Sequence, residues 1–135
     1  MPPPPYLFLL IIEGMSLLIN HAKKDKKILG IKVAASIYIS HIFFVDDVLL
    51  FGDGSLLEWM HYKSLIDLFC GASRMSINPQ KFVFGAHNIP QNVLSPILLT
   101  FSCFFKPLEE GLSYLGFQVK PNCYRAGDWN WLIKK

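Results

Sequence analysis

Two adjacent carboxylates, Asp46 and Asp47, are the side chains of this 135-residue chain best placed by type and spacing to do chemistry. They interrupt the apolar, β-branched and aromatic stretch IYISHIFFVDDVLLFG, Ile37 to Gly52. Ile42, Phe43, Phe44 and Val45 stand before them, and Val48, Leu49, Leu50 and Phe51 after them. Both flanks favour strand, while Asp disfavours strand and accepts turn geometry. The pair is therefore expected at the tip of a β-hairpin. An unbroken strand would bury at least one unpaired carboxylate, which costs several kcal/mol on the scale of buried ions. Two carboxylates at one tip repel each other, and a hard divalent cation with oxygen ligands relieves that repulsion. Two readings follow from these residues alone: a half-built metal site, or a solvated turn whose aspartates cap backbone N–H groups.

The elements that must position this pair are legible on both sides. The apolar run Tyr6 to Ile12 is broken by Glu13, well short of the roughly 20 residues of a membrane span. It also lacks the positive leader of a signal peptide, so neither a membrane partner nor a secretory signal is expected. A helix from about Tyr6 to Ala22 is expected instead, with Leu7, Leu10, Ile11, Gly14, Leu18 and Ala22 on one stripe. Lys23, Lys24, Lys26 and Lys27 then form a basic cluster before Gly30. These four lysines suit the phosphates of a nucleic acid, and equally suit the C-terminal dipole of a solvated helix end. Ile31–Ala34 and Ile37–Val45 are extended segments leading into the hairpin. Beyond Gly52-Asp53-Gly54, Ser55-x-x-Glu58 is a capping box that opens a helix to about Cys70, ended by Gly71. Its apolar face is expected at Leu57, Met60, Ser64 and Leu68, broadened by Trp59, Leu65, Ile66 and Phe69. Asp53, between two glycines, is read as a turn residue rather than a third ligand.

Further along, Phe82–Gly85 reads as a strand, Asn88-Ile89-Pro90 as the start of a short helix limited by Pro96, and Phe101–Phe105 as extended. Composition bounds the rest. Apolar residues make up 52% and charged residues 17%, which excludes disorder and exceeds what a free-standing soluble surface needs. The net charge of +3 favours a nucleic-acid partner only mildly. Cys70, Cys103 and Cys123 form no zinc-ligand spacing and read as reduced thiols of an intracellular protein. His21, His41, His61 and His87 are scattered and form no i, i+4 pair.

Phe44-Val45-Asp46-Asp47, with its flanks His41-Ile42-Phe43 and Val48 to Gly52, resembles the Y/F-x-D-D motif of reverse transcriptases of the plant LINE-type (non-LTR) retrotransposons. The resemblance covers nearly the whole chain. Met75-Ser76-Ile77-Asn78-Pro79-Gln80-Lys81 is similar to the family's x-INxxKS segment, with Phe82 where the family has a small polar residue. Tyr114-Leu115-Gly116-Phe117 resembles its Y/F-LG-F strand. The resemblance implies an α+β fold, a partial polymerase palm of split β-α-β, ferredoxin-like type, spanning residues 1–120, with residues 121–135 beginning a thumb. It implies that Asp46 and Asp47 hold Mg2+ in RNA-directed DNA synthesis and that Lys81 assists proton transfer to the departing pyrophosphate. It also implies that Tyr114, Leu115, Gly116 and Phe117 grip the primer, with an RNA template and DNA primer as partners.

Against the family pattern, the QG-x-PLSP-LLF motif is reduced to Pro5, Leu7 and Phe8, and MPPPP reads as a start that replaces it. The opening palm strand, with its metal-binding aspartate, has no counterpart, because the only acidic residues before the hairpin are Glu13 and Asp25. Two-metal nucleotidyl transfer needs ligands that hold both ions about 3.5–4 Å apart. The expectation is thus a fragment without polymerase activity of its own, prone to self-association through an exposed sheet edge. The alternative is a non-catalytic nucleic-acid- or protein-binding remnant, and a third reading is a translation product without a selected role.

Overall fold

The computed structural model describes residues 5–44, 47–114 and 117–120. Val45, Asp46, Leu115, Gly116, Cys123 and the segment 121–135 expected to begin a thumb lie outside the described residues, as do residues 1–4. The described chain is mixed α+β with three α-helices and small two-stranded sheets, three antiparallel and one parallel. It divides into two compact units, Met1–Ile77 and Asn78–Lys135.

In the first unit, α1 (Pro5–Lys24) is followed by β1 (Ile31–Ala34) and β2 (Ile37–Ile39), then β3 (His41–Phe44), β4 (Asp47–Leu50) and α2 (Leu56–Ser73). Each of the pairs β1–β2 and β3–β4 is antiparallel. The expected hairpin is present: His41 faces Leu50, Ile42 faces Leu49, Phe43 faces Val48 and Phe44 faces Asp47. The extended stretch from Ile37 breaks at Ser40, where β2 leaves one sheet and β3 enters the next.

The two helices form as expected but turn different faces inward. Helix α1 packs on α2 and buries Ile12, Met15, Ile19 and Ala22, while Leu7 and Leu10 are exposed and so is Gly14. A helix apolar on nearly every side has no periodicity to choose its buried stripe, so its neighbours choose it. The segment Tyr6–Lys24 is long and apolar enough by composition to cross a membrane, yet four of its residues belong to this core. Helix α2 likewise exposes Leu57 and Leu68 and buries Glu58, Trp59, Tyr62 and Ile66. Two polar side chains were selected over two leucines because each satisfies backbone groups that no leucine can. Gly71 does not end α2. The helix runs to Ser73, whose hydroxyl bonds back to the Phe69 carbonyl at 2.7 Å, and Arg74 takes the left-handed cap with φ of 59°.

The second unit opens with a 3-10 turn at Pro79–Lys81 and contains β5 (Val83–Ala86), α3 (Gln91–Phe101), β6 (Phe104–Pro107), β7 (Leu112–Tyr114) and β8 (Phe117–Val119). Strands β5 and β6 are parallel, with Val83 beside Phe104 and Ala86 beside Pro107, and α3 is their crossover. Parallel neighbours need such a crossover, usually a helix. Phe101, expected in a strand, instead closes α3 and is buried with Leu94 and Ile97. Pro96 lies inside α3, and the helix still reaches eleven residues.

A single side chain closes the base of the β3–β4 hairpin. The Tyr62 hydroxyl lies between the carbonyls of Ser40 at 2.9 Å and Phe51 at 2.5 Å, and the Phe51 N–H donates to the Ser40 carbonyl at 2.8 Å. Tyr62 is fully buried, and burial first, then the nearby Glu58 charge, pushes its phenol above the ordinary value. A raised folded-state pKa means that this contribution to stability is complete below the ordinary value of 10.0 and is lost as pH rises beyond it. Tyr62→Phe should therefore lower stability by about 1 kcal/mol at neutral pH. The same variant should flatten the alkaline fall in the urea midpoint; an unchanged midpoint at both pH values would show that the hydroxyl does not hold the hairpin.

Candidate functional site

Asp47 begins β4 and is exposed. In an antiparallel pair directly opposed residues share a face, so Asp47 lies with Phe44, and with the Ile42–Leu49 pair two residues along. Ile42 and Phe44 are exposed on that face. The other face carries His41, Phe43, Val48 and Leu50, and His41 ties it to α1. The His41 ring is hydrogen-bonded to the Ser16 hydroxyl through Nε2 at 2.9 Å and to the Ser40 hydroxyl through Nδ1 at 2.8 Å. Burial, then the Lys23 charge, holds this imidazole below its ordinary pKa, against a smaller opposing pull from Glu13. The hairpin thus has one side tied to α1 at its base through His41, while Val48 nearer the tip of that side is exposed; Asp47 lies on the other side, with the exposed Ile42 and Phe44.

The base of the hairpin is built differently. The chain leaving β4 passes α2 at Gly52, where a Cβ would stand 2.6 Å from Glu58 Oε1 and 2.9 Å from the Trp59 ring. Gly30, at φ of +81°, passes so close to the Ile39 carbonyl that any side chain would collide with it. Between these two glycines sits the Glu58 carboxylate, only 5% exposed. Its Oε2 accepts from the Leu29 N–H at 3.0 Å and its Oε1 from the Asp53 N–H at 3.2 Å. Burial, against the Leu29 N–H and with the Asp53 charge, leaves its pKa above the ordinary carboxylate value, while the Asp53 and Gly30 N–H groups also oppose the rise.

The capping box therefore closes on one side only. The Ser55 hydroxyl accepts from the Glu58 N–H at 3.3 Å, but the Glu58 side chain reaches past the cap to two loops. The Ser55 N–H is taken by Asp53 Oδ1 at 2.8 Å, which fixes Asp53 in the turn role expected of it. Sequence reasoning gave Glu58 only the local role. The signal available was its position beside two glycines and one turn before a tyrosine on the same helix face.

Among the described residues, no three His, Cys, Asp or Glu side chains are grouped as metal ligands. The hairpin tip offers Asp47, with Asp46 outside the described residues; Asp53 belongs to the base, beyond the far end of β4, a strand that is itself about 10 Å long. Glu13 lies in α1 and acts on His41, and Asp25 pairs with His21 at 3.6 Å, so neither acidic residue before the hairpin stands on a strand. The described donors therefore do not by themselves make up a magnesium site.

The remaining candidates are dispersed. Lys23 and Lys24 end α1, and Lys26 and Lys27 stand in the loop behind it, Lys26 at φ of 60°. Lys81 is exposed at the end of its 3-10 turn, which Asn78 caps by accepting from the Gln80 N–H at 3.0 Å. The Asn-Pro-Gln-Lys segment thus has a local structural reason for its residue types. Tyr114 and Phe117 do not lie on one continuous strand: they face each other across the antiparallel pair β7–β8.

Comparison with known proteins gives no match: no family model, no curated protein and no solved structure is significantly similar to the chain.

The Glu58 bridge makes a quantitative demand. Glu58→Ala strands the Leu29 and Asp53 N–H groups, and the loss should be on the order of 2 kcal/mol, with Glu58→Gln losing less because its amide oxygen still accepts. Urea unfolding of the three proteins checks the order; an alanine variant as stable as the parent would mean that water replaces the carboxylate without penalty.

Proposed function

We propose that this chain is a fragment of an RNA-directed DNA polymerase of the LINE type, a partial palm that lacks the donors for unaided catalysis. The observation that supports this reading is the hairpin. Its second strand begins with Asp47, paired to Phe44 of the F-V-D-D segment, on a face open to solvent, and it is followed by a capped helix. In that reading Asp46 and Asp47 are half of a Mg2+ centre, and Lys81 and the Tyr114–Phe117 segment are remnants of the leaving-group and primer contacts. Two-metal transfer requires donors on both sides of the ion pair, and neither Glu13 nor Asp25 supplies the other side.

The test is primer extension on an RNA template with a DNA primer and Mg2+ or Mn2+. The chain alone should give no incorporation. Robust incorporation that Asp46→Ala abolishes would overturn the claim of an incomplete centre. The DNA just upstream separates two forms of this reading: an in-frame segment encoding a strand with an aspartate and a QG-x-PLSP motif would make the chain part of a longer polymerase, and unrelated sequence there would mean that the gene itself has degenerated.

A further inference from the structure

Behind α1 the lysine loop and the first turns of α2 enclose an open furrow of about 600 Å³. Lys23, Lys26 and Lys27 line it on one side, and Ser55 and His61 on the other. Lys24, the fourth lysine of the cluster, does not line it. None of the three lining ammonium groups is ion-paired to a described residue.

Two carboxylates, Asp53 and Glu58, also contribute to the wall, so the three lysines outnumber them by one, and three of the four carboxylate oxygens already accept backbone N–H groups. Both Glu58 oxygens accept backbone N–H groups, and Asp53 Oδ1 accepts from Ser55. Glu58 is sunk in the wall. The backbone that carries the lysines is itself tied down: the Lys26 N–H donates to the Lys23 carbonyl at 3.0 Å, and the Lys27 N–H to the Ala22 carbonyl at 2.9 Å. A smaller hollow of about 160 Å³ toward Ser64 shares Lys27 and His61 with it.

We infer that this furrow is a binding site for phosphate oxyanions, of a polyphosphate or of a nucleic-acid backbone. Three unpaired ammonium groups around one concave surface lower the free energy of a multiply charged anion and release its counterions. Lysine serves here as a point charge without a fixed fork, so it recognises charge and not the orientation of one phosphate. The one aromatic ring among the furrow's lining residues is the His61 imidazole, so charge and not a stacking platform dominates the site. The site stands at the base of the hairpin, away from Asp47, and does not rest on the polymerase reading.

The experiment titrates the full chain at low salt with a fluorescein-labelled oligo(dT), read by anisotropy, and with inorganic tripolyphosphate as competitor and by NMR. Binding should weaken with salt at a logarithmic slope of about −2, as three phosphates neutralised on a single strand imply. The combined variant Lys23→Gln, Lys26→Gln, Lys27→Gln should lose at least tenfold in affinity while keeping its far-UV spectrum, and Lys24→Gln should stay within twofold. Amide signals of Lys27, Ser55 and His61 should move on adding tripolyphosphate. Displacement of the oligonucleotide by tripolyphosphate supports one shared site, and tripolyphosphate binding without oligonucleotide binding assigns the site to free polyphosphate. Absence of binding by both probes overturns the inference. So does a Lys24→Gln loss equal to that of the triple variant, because the attraction would then belong to the charge of the loop at large.

Discussion

The first unit depends on one constraint: the ends of the β3–β4 hairpin must be held together and held against α2. Antiparallel pairing of four residues on each strand does not do this alone, since an isolated two-stranded hairpin is marginal in water. Tyr62 and Glu58, one turn apart on α2, supply what the sheet lacks. The tyrosine clasps the carbonyls of Ser40 and Phe51, and the glutamate bridges the N–H groups of Leu29 and Asp53. The two side chains of a single helix thus supply partners to loop backbone groups that the short strands leave over: the Leu29 and Asp53 N–H groups and the Phe51 carbonyl, with the Ser40 carbonyl shared between Tyr62 and the Phe51 N–H. The glycines at positions 30 and 52 follow from this arrangement, because the loops must come close enough to be reached.

A hairpin clasped at its base presents its tip. One face is pinned to α1 through His41 and Ser16, and the opposite face, with Phe44 and Asp47, stays open. That geometry leaves the Asp47 side chain exposed at the start of β4. The basic furrow lies at the other end of the same hairpin, behind the loop that Glu58 anchors. Glu58 therefore serves both ends: it fixes the base from which the tip projects, and it is the wall beneath the lysines.

Much of this unit was legible. The hairpin could be read from apolar flanks around two aspartates, and the start of α2 from Ser55 and Glu58. The buried faces of both helices could not be read, because α1 is apolar nearly all round and α2 buries a tyrosine and a glutamate in preference to leucines. Those choices are made by backbone groups in loops distant in sequence, which periodicity does not see. In the second unit the strands near Phe82 and the proline-started helix were visible, but the parallel pairing of β5 with β6 was not, since pairing across a helix leaves no local mark. Tyr114–Phe117 reads as one strand from its resemblance to the Y/F-LG-F strand, whereas Tyr114 and Phe117 are register partners across the antiparallel pair β7–β8. Of the candidate site, Asp47 is where its sequence placed it. The role of Glu58 was hidden behind its simpler identity as a capping-box residue.

The proposal that Asp47 is half of a broken cation centre requires the open face of the clasped hairpin to attract a divalent ion, however weakly. Paramagnetic broadening of the amide spectrum by trace Mn2+ measures this directly. The signals of Asp47 and Phe44 should vanish first, those of Gly52 and Leu29 at the base should persist, and Asp47→Asn should abolish the selectivity. Broadening that begins elsewhere, or that is the same in Asp47→Asn, would contradict it.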